Sequence, residues 1–573
     1  MNNKKIFLVA ITVSFFAFAA CSGDDTSPNN SKTVTPGSVT PSTSAQQEVK
    51  PPRGAETGGI LKAAYTGTVP KSFDPFTQSD VLGQAMIQPA YDGLVRYQGV
   101  PPDRKIVGDL AERWEFTDDH TLVMHLQKDA RFHDGQPLTA EDVQFSIIRS
   151  ASPLSGTTSL MRNRLSSIDR VETSDDYTVR IVTKDPWASA LNTLASPYMR
   201  IVPKHIASAS PEGLAAVIVG SGPFVFKSFS PDTGAEFVKN KSYWDKGLPY
   251  MDGIRLSPIN DPQTLLLALS FGQVDLLFQS MDGDQVEQLT KLNSKVTLWR
   301  PLDTVSGPDV VLNTTRAPFD DVRVREGIRL AIDNEAMAKA NQYSGKMQLN
   351  SPMGLTRWGL SDDELSLRKE NNKDQDIKIR EAKRLLSEAG IQGAEVRIMV
   401  GQGRYLFPNK KYGPDVKGQI LMDNLKEIGL EPQLEFKKYP GEFNQELLLF
   451  KYDIAVLYTP IDDYPDPDNL KDFWQSRGPR NYSAYQNKDI DQLLYQQSLT
   501  LSTDARHTII DRIQRLALDS YAAFYLPLSA PEGPGPVSAI SQPWLKNYWN
   551  NWMGANMGSL QYKFAWIEKP TKP

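Results

Sequence analysis

The strongest constraint on the fold lies between residues 376 and 474, where the hydrophobic period changes again and again. Residues 376–390 read as a helix. Asp376 is the candidate cap, Ile379, Ala382, Leu386 and Ala389 share a face, and Gly390 ends it. Val396, Ile398 and Val400 then alternate as a strand. Val416, Ile420, Leu421, Leu425 and Ile428 form the next helix face, closed by Gly429, and Leu434 and Phe436 mark another strand. Residues 443–450 are helical, and 453–459 form a nearly unbroken apolar run, as in a strand buried on both faces. Strands alternating with helices in this way are expected to form a parallel sheet with right-handed crossovers, so the class is α/β.

Directly after the apolar run come Pro460, Asp462, Asp463, Pro465, Asp466, Pro467 and Asp468. Several carboxylates therefore stand on a proline-stiffened loop at the carboxyl end of a buried strand, the place where open α/β sheets bind ligands. Two other readings compete. A random acidic loop is simply solvated. A calcium loop needs oxygen ligands at alternate positions and a glycine, and Tyr464, Pro465 and Pro467 break that spacing. Asp463 is the candidate acceptor for the cationic end of a ligand, with Asp462 as the neighbouring alternative.

The 573 residues exceed what one core serves, so at least two lobes are expected. The charged fraction is an ordinary 23% and the net charge is −5, which leaves no strongly basic face and no nucleic-acid partner. Residues 1–21 read as a signal peptide. Lys4 and Lys5 precede the apolar stretch 6–19, and Ala19 and Ala20 precede Cys21, the single cysteine. Cys21 at that position resembles the lipidated N-terminus of a bacterial lipoprotein, although Phe18 stands where an aliphatic residue is usual. A secreted chain cleaved nearby is the alternative. Either way the mature chain is extracytoplasmic and free of disulfides. Residues 22–58 are rich in Ser, Thr, Pro and Asn and form a flexible tether.

Ordered structure begins near Gly59, with a strand at residues 60–65. Residues 122–126 alternate as a strand, and Thr139 with Asp142 forms a capping-box pair before Val143, Ile147 and Ile148. His133 reads as a loop histidine held by its neighbours, since no His, Cys or Glu stands at metal spacing from it. The helix at 504–521 presents Ile509, Ile513 and Leu516 on one side.

Several long motifs occur in a fixed order. They are DPF at residue 74, then DLAERWEFTDDHTLVMHLQKDARFHDGQPLTAEDVQFS at 109–146, GSGPFVF at 220–226 and NKSYWDKGLPYMDGI at 240–254. ALSFGQVDLLF at 268–278 and LNTTRAPFDDVRVREGIRLAID at 312–333 follow, the latter with Asp320 or Asp321 as a helix cap. In this order they resemble the family 5 extracellular solute-binding proteins of ABC transporters, the peptide-binding and nickel-binding lipoproteins. The resemblance runs over residues 59–567. It implies a two-lobed, hinged, periplasmic-binding-protein-like fold of class II type. Lobe one is expected at 59–304 plus 535–573, with an extra subdomain at about 85–215, and lobe two at 305–534. It implies no enzyme and no cofactor. The residues agree: there is no G-x-S-x-G, H-E-x-x-H, P-loop or Rossmann pattern, and the single cysteine is spent at the anchor.

The resemblance also implies a ligand class. Peptide binders of the family place an Asp in a D-[NY]-x-[DE]-P loop against the ligand's α-ammonium. Here DYPDP puts that role on Asp463, with Tyr464 beside it. RYLFPN at 404–409 resembles the dipeptide-binding members, where the arginine, here Arg404, holds the ligand carboxylate. A guanidinium grips a carboxylate through two parallel bonds. Main-chain bonds from the segment 220–223, including Gly222, would hold the peptide between these anchors. A surface arginine is the competing reading of Arg404. A nickel complex is the alternative ligand, but His120, His125, His133, His205 and His507 are scattered and none lies in the expected cleft, so no metal site is assigned. The expected protein is a monomeric lipoprotein, extracytoplasmic and lipid-anchored to a bacterial membrane in the periplasm or at the cell surface, that passes short peptides to a permease; a membrane-tethered binder or sensor of another small solute on the same fold is the alternative.

Overall fold

A computed structural model describes residues 56–66, 72–77, 83, 86–98, 105–152, 159, 161–209, 213–277, 281, 283–299, 305–340, 347–354, 356–402, 414–439, 441–457, 461–462, 466–529, 539–547 and 562–568. Among them the strands form two principal sheets, a smaller third and four two-stranded pairs.

The first sheet has seven strands, in the order Thr297–Trp299, Ala539–Ser541, Leu276–Leu277, Ile60–Tyr65, Gly253–Pro258, Gly234–Lys239 and Phe224–Ser230. Ile60–Tyr65 forms where the sequence places it, and it runs parallel to both neighbours. Ala539–Ser541 inserts antiparallel between Leu276–Leu277 and Thr297–Trp299, so the chain comes back to this sheet after building the second one.

The third sheet is antiparallel, ordered Ala111–Asp118, Thr121–Leu126, Thr178–Thr183, Ile168–Asp175. Helix Ala140–Ala151 starts at the capping box of Thr139 and Asp142, as the sequence predicts. The core under this sheet takes in Trp187, Ala190 and Leu194, and also Tyr243, Trp244, Leu248 and Phe564 from the body that carries the first sheet. A buried charge network adds to that joint. Lys563 Nζ donates to Asp109 Oδ1 at 2.7 Å and to Tyr243 Oη at 3.0 Å, while Asp92 accepts from Tyr243 Oη and Trp244 Nε1.

The second sheet orders Glu431–Lys438, Glu395–Gln402, Ile454–Val456, Val310–Leu312 and Ala523–Phe524. The expected parallel sheet is mixed. The first three strands are parallel through helical crossovers, but Val310–Leu312 is antiparallel to both of its neighbours. The β-α-β-α-β pattern covers only residues 376–459. Val310–Leu312 joins from outside it, so no crossover dictates its direction. Ile454–Val456 is buried on both faces as expected, with Ile454 and Val456 in one core and Ala455 in the other.

Two details differ from the sequence reading. The helix expected from Asp376 runs Gln375–Glu388 and is capped by Asp374, which accepts from Ile377 N at 3.0 Å. Both aspartates are competent caps, and Asp374 lies one residue before the first helical turn. Helix Thr503–Asp519 buries Arg506, Ile510, Ile513, Gln514 and Ala517, a stripe turned by one residue from Ile509, Ile513 and Leu516. It turns because two polar side chains are buried with partners.

Candidate functional site at the carboxyl edge of the second sheet

Parallel pairing fixes which strand ends meet. Ile398 stands opposite Ile454 and Val400 opposite Val456, so Glu395–Gln402 and Ile454–Val456 end at the same edge of the sheet. Arg404 follows the first by two residues, and the acidic loop follows the second. Arg404, Asp463 and Tyr464 lie outside the described residues, as does Cys21, and of Asp462 only the backbone is described.

The residues on either side of Asp463 and Tyr464 are described. Ile461–Asp462 pairs antiparallel with Val305–Ser306, the segment by which the chain reaches the second sheet. Farther along the acidic loop, Asp466 is fully buried, against the reading of a solvated acidic loop. Its Oδ1 accepts from Arg506 Nη2 at 2.8 Å, from Ser189 Oγ at 2.7 Å and from Asp468 N at 2.9 Å. Its Oδ2 accepts from Asn192 Nδ2 and from Arg506 Nη1. Burial alone would push this carboxyl up; the Arg506 guanidinium and the hydrogen bonds outweigh it and hold the group below the usual carboxylate range. Asp466 was visible in the sequence only as one acid among several. The signal for its partner is the stripe 506, 510, 513, 517, which has helical spacing but begins with an arginine.

The segment 220–223 packs against Ala90. A Cβ on Gly220 would lie 2.0 Å from Ala90 O, and one on Gly222 2.5 Å from Ala90 C, so both positions need glycine for close approach. Gly222 N donates to Ala90 O at 2.9 Å, and its carbonyl accepts from His133 Nε2 and Asn240 Nδ2, each at 3.0 Å. The main chain of Gly222 is thus engaged inside its own lobe. His133 is held as the sequence suggests: burial lowers its pKa, and its backbone N donates to Gly220 O at 2.8 Å. Among the described residues no three His, Cys, Asp or Glu side chains gather at metal-binding distance, and no helix is long and apolar enough to cross a membrane.

The model of the bacterial extracellular solute-binding proteins, family 5 Middle, matches residues 105–482, more than half of the chain. This chain belongs to family 5 of the extracellular solute-binding proteins. The family binds solutes for ABC transporters and is not enzymatic. Heme-binding protein A of Haemophilus influenzae is 26% identical over 496 residues, 81% of this chain and 85% of that protein. Glutathione-binding protein GsiB of Pectobacterium atrosepticum is 29% identical over 286 residues, 49% of this chain; that match spans about half, 53%, of the relative. Two solved structures share the two-lobed fold of this family 5 protein. Periplasmic binding protein DppA from Helicobacter pylori, in complex with the peptide STSA, matches with a TM-score of 0.70 and 23% identity over 90% of this chain and 99% of its own. HbpA2 from Haemophilus parasuis matches with a TM-score of 0.74 and 22% identity over 89% of this chain and 100% of its own.

Proposed function

We propose that this family 5 protein is an extracytoplasmic lipoprotein that captures short peptides and delivers them to an ABC importer. The observation that carries the reading is the shared edge of two parallel strands, from which the segments bearing Arg404 and Asp463 both depart. Asp463 takes the ligand ammonium and Arg404 its carboxylate. Two opposite fixed charges at one sheet edge fit a short zwitterion. Tyr464 flanks the ammonium site. Main-chain bonds from the segment 220–223 hold the peptide between these anchors, with Gly222 allowing that segment its close approach to Ala90. Relatives named for glutathione and for a bound peptide support the peptide class. Lobe one spans 59–304 plus 535–573 and lobe two 305–534, a division supported by the return of Ala539–Ser541 to the first sheet. Cys21 carries the lipid, residues 22–58 form the tether, and the protein works as a monomer against its permease.

Calorimetry with a free peptide and its N-acetylated form tests the site. Wild type should reject the acetylated peptide. Asp463→Asn keeps the shape and removes the charge, so it should bind the free peptide more weakly by about 2–5 kcal/mol. That is roughly 30- to 5000-fold in affinity. If Asp463→Asn binds as wild type does, the ammonium site is elsewhere. If only Asp462→Asn weakens binding, the role belongs to Asp462.

A further inference from the structure

Asp466 has two sets of partners, and they lie in different parts of the molecule. Arg506, Gln497 and Asp468 belong to the second lobe. Arg506 Nε donates to Gln497 Oε1 at 3.0 Å, and Gln497 Nε2 donates to Asp468 Oδ1 at 2.7 Å. Ser189 and Asn192 sit on or beside the short helix Ala190–Leu194, whose core is that of the antiparallel sheet. Two further bonds cross the same boundary: Ala188 N donates to Ser498 O at 3.0 Å, and Arg164 Nη2 to Asn469 Oδ1 at 3.3 Å.

This division has a physical consequence. An ion pair split across two moving lobes would leave a desolvated charge on each when they part, at a prohibitive cost. Here the cation travels with the anion. At this carboxylate, parting the lobes breaks the bonds from Ser189 and Asn192 to Asp466 and the 2.9 Å bond from Arg506 Nη2 to Ser189 Oγ, and water can replace these, as it can the Ala188–Ser498 and Arg164–Asn469 bonds. The contact is therefore built to open.

We propose that Asp466, fixed by Arg506, is an interlobe latch: Ser189 and Asn192 engage it only when the lobes close. The latch does not rest on the ligand-site reading above.

Distance measurement between the lobes tests it. The protein carrying Cys21→Ser, Lys241→Cys and Lys383→Cys takes one spin label on each lobe, at exposed positions. Double electron–electron resonance is recorded alone and with alanyl di-, tri- and tetrapeptides as probes. Wild type should show a short-distance population, enriched by a probe that binds. Ser189→Ala with Asn192→Ala, which alters no residue of the second lobe, should lower the ratio of closed to open molecules roughly tenfold or more. Asn192→Ala alone serves if the pair fails to fold, and Asn192→Asp, which sets a carboxylate against Asp466, should open the protein further. Distance distributions that coincide between wild type and these variants, with and without probe, overturn the latch. If no probe binds wild type, the peptide reading fails, and the ligand-free distributions still decide the latch by the same comparison.

Discussion

Lys563 ties the C-terminal segment to the first lobe through a single nitrogen. It is buried with Asp109 as its ion-pair partner at 2.7 Å, and its ammonium lies over the rings of Tyr243, Trp244 and Phe564. Removing one member of a buried pair leaves the other charge uncompensated. Lys563→Met should therefore cost about 3–5 kcal/mol, read by urea unfolding. Asp92 makes a second prediction at the same place. Burial and the nearby Asp109 raise its pKa to about 7, against the opposing pull of Lys563, Trp244 and Tyr243. A carboxyl whose folded pKa is raised binds its proton more tightly in the native state than in the unfolded chain. Its contribution is complete below the unfolded value of about 4 and is lost as pH rises through about 7. Unfolding free energy measured across that window should fall less steeply with pH in Asp92→Asn than in wild type.

At the scale of elements, two predictions separate local rules that the sequence leaves equal. Asp374 and Asp376 could each cap the helix Gln375–Glu388, but only Asp374 accepts from the first turn. Asp374→Ala should cost about 1 kcal/mol and Asp376→Ala much less, by thermal or chemical unfolding. In the segment 220–223, Gly222→Ala would press a methyl group into the Ala90 backbone. Backbone cannot swing aside as a side chain can, so the loss should be about 1–3 kcal/mol or more. The segment would also shift, and peptide affinity should fall along with stability. Ser221→Ala, which leaves the backbone unchanged, separates side chain from main chain.

At the scale of the molecule, the two-lobed fold sets the motion expected on binding. Small-angle scattering of the purified protein should give a smaller radius of gyration with a saturating peptide than without, as the lobes turn about the segments that join the two sheets. An unchanged radius would count against hinge closure. The proposed lipid anchor makes the other prediction at this scale: Cys21→Ser should move the protein from the membrane fraction to the soluble one with its body intact, and a mutant that stays with the membrane would overturn the assignment of Cys21.

Local pattern alone determined much of this protein. The alternation of helix and strand over residues 376–459, the buried strand at 454–456, the capping box at Thr139 and the stops at Gly390 and Gly429 are all written in side-chain period and backbone freedom, which act over a few residues. Motif order was enough to place the chain in its family. Long-range pairing was not legible. Val310–Leu312 enters the second sheet antiparallel because distant strands leave it that edge, and its own residues carry no sign of direction. Asp466 and Ser189 are 277 residues apart and meet only once both lobes exist. A polar side chain in a sequence reads as solvent-facing, because burial costs free energy unless a partner is supplied. Tertiary structure supplies that partner, and so it alone decided that one aspartate of an acidic loop is buried between the lobes.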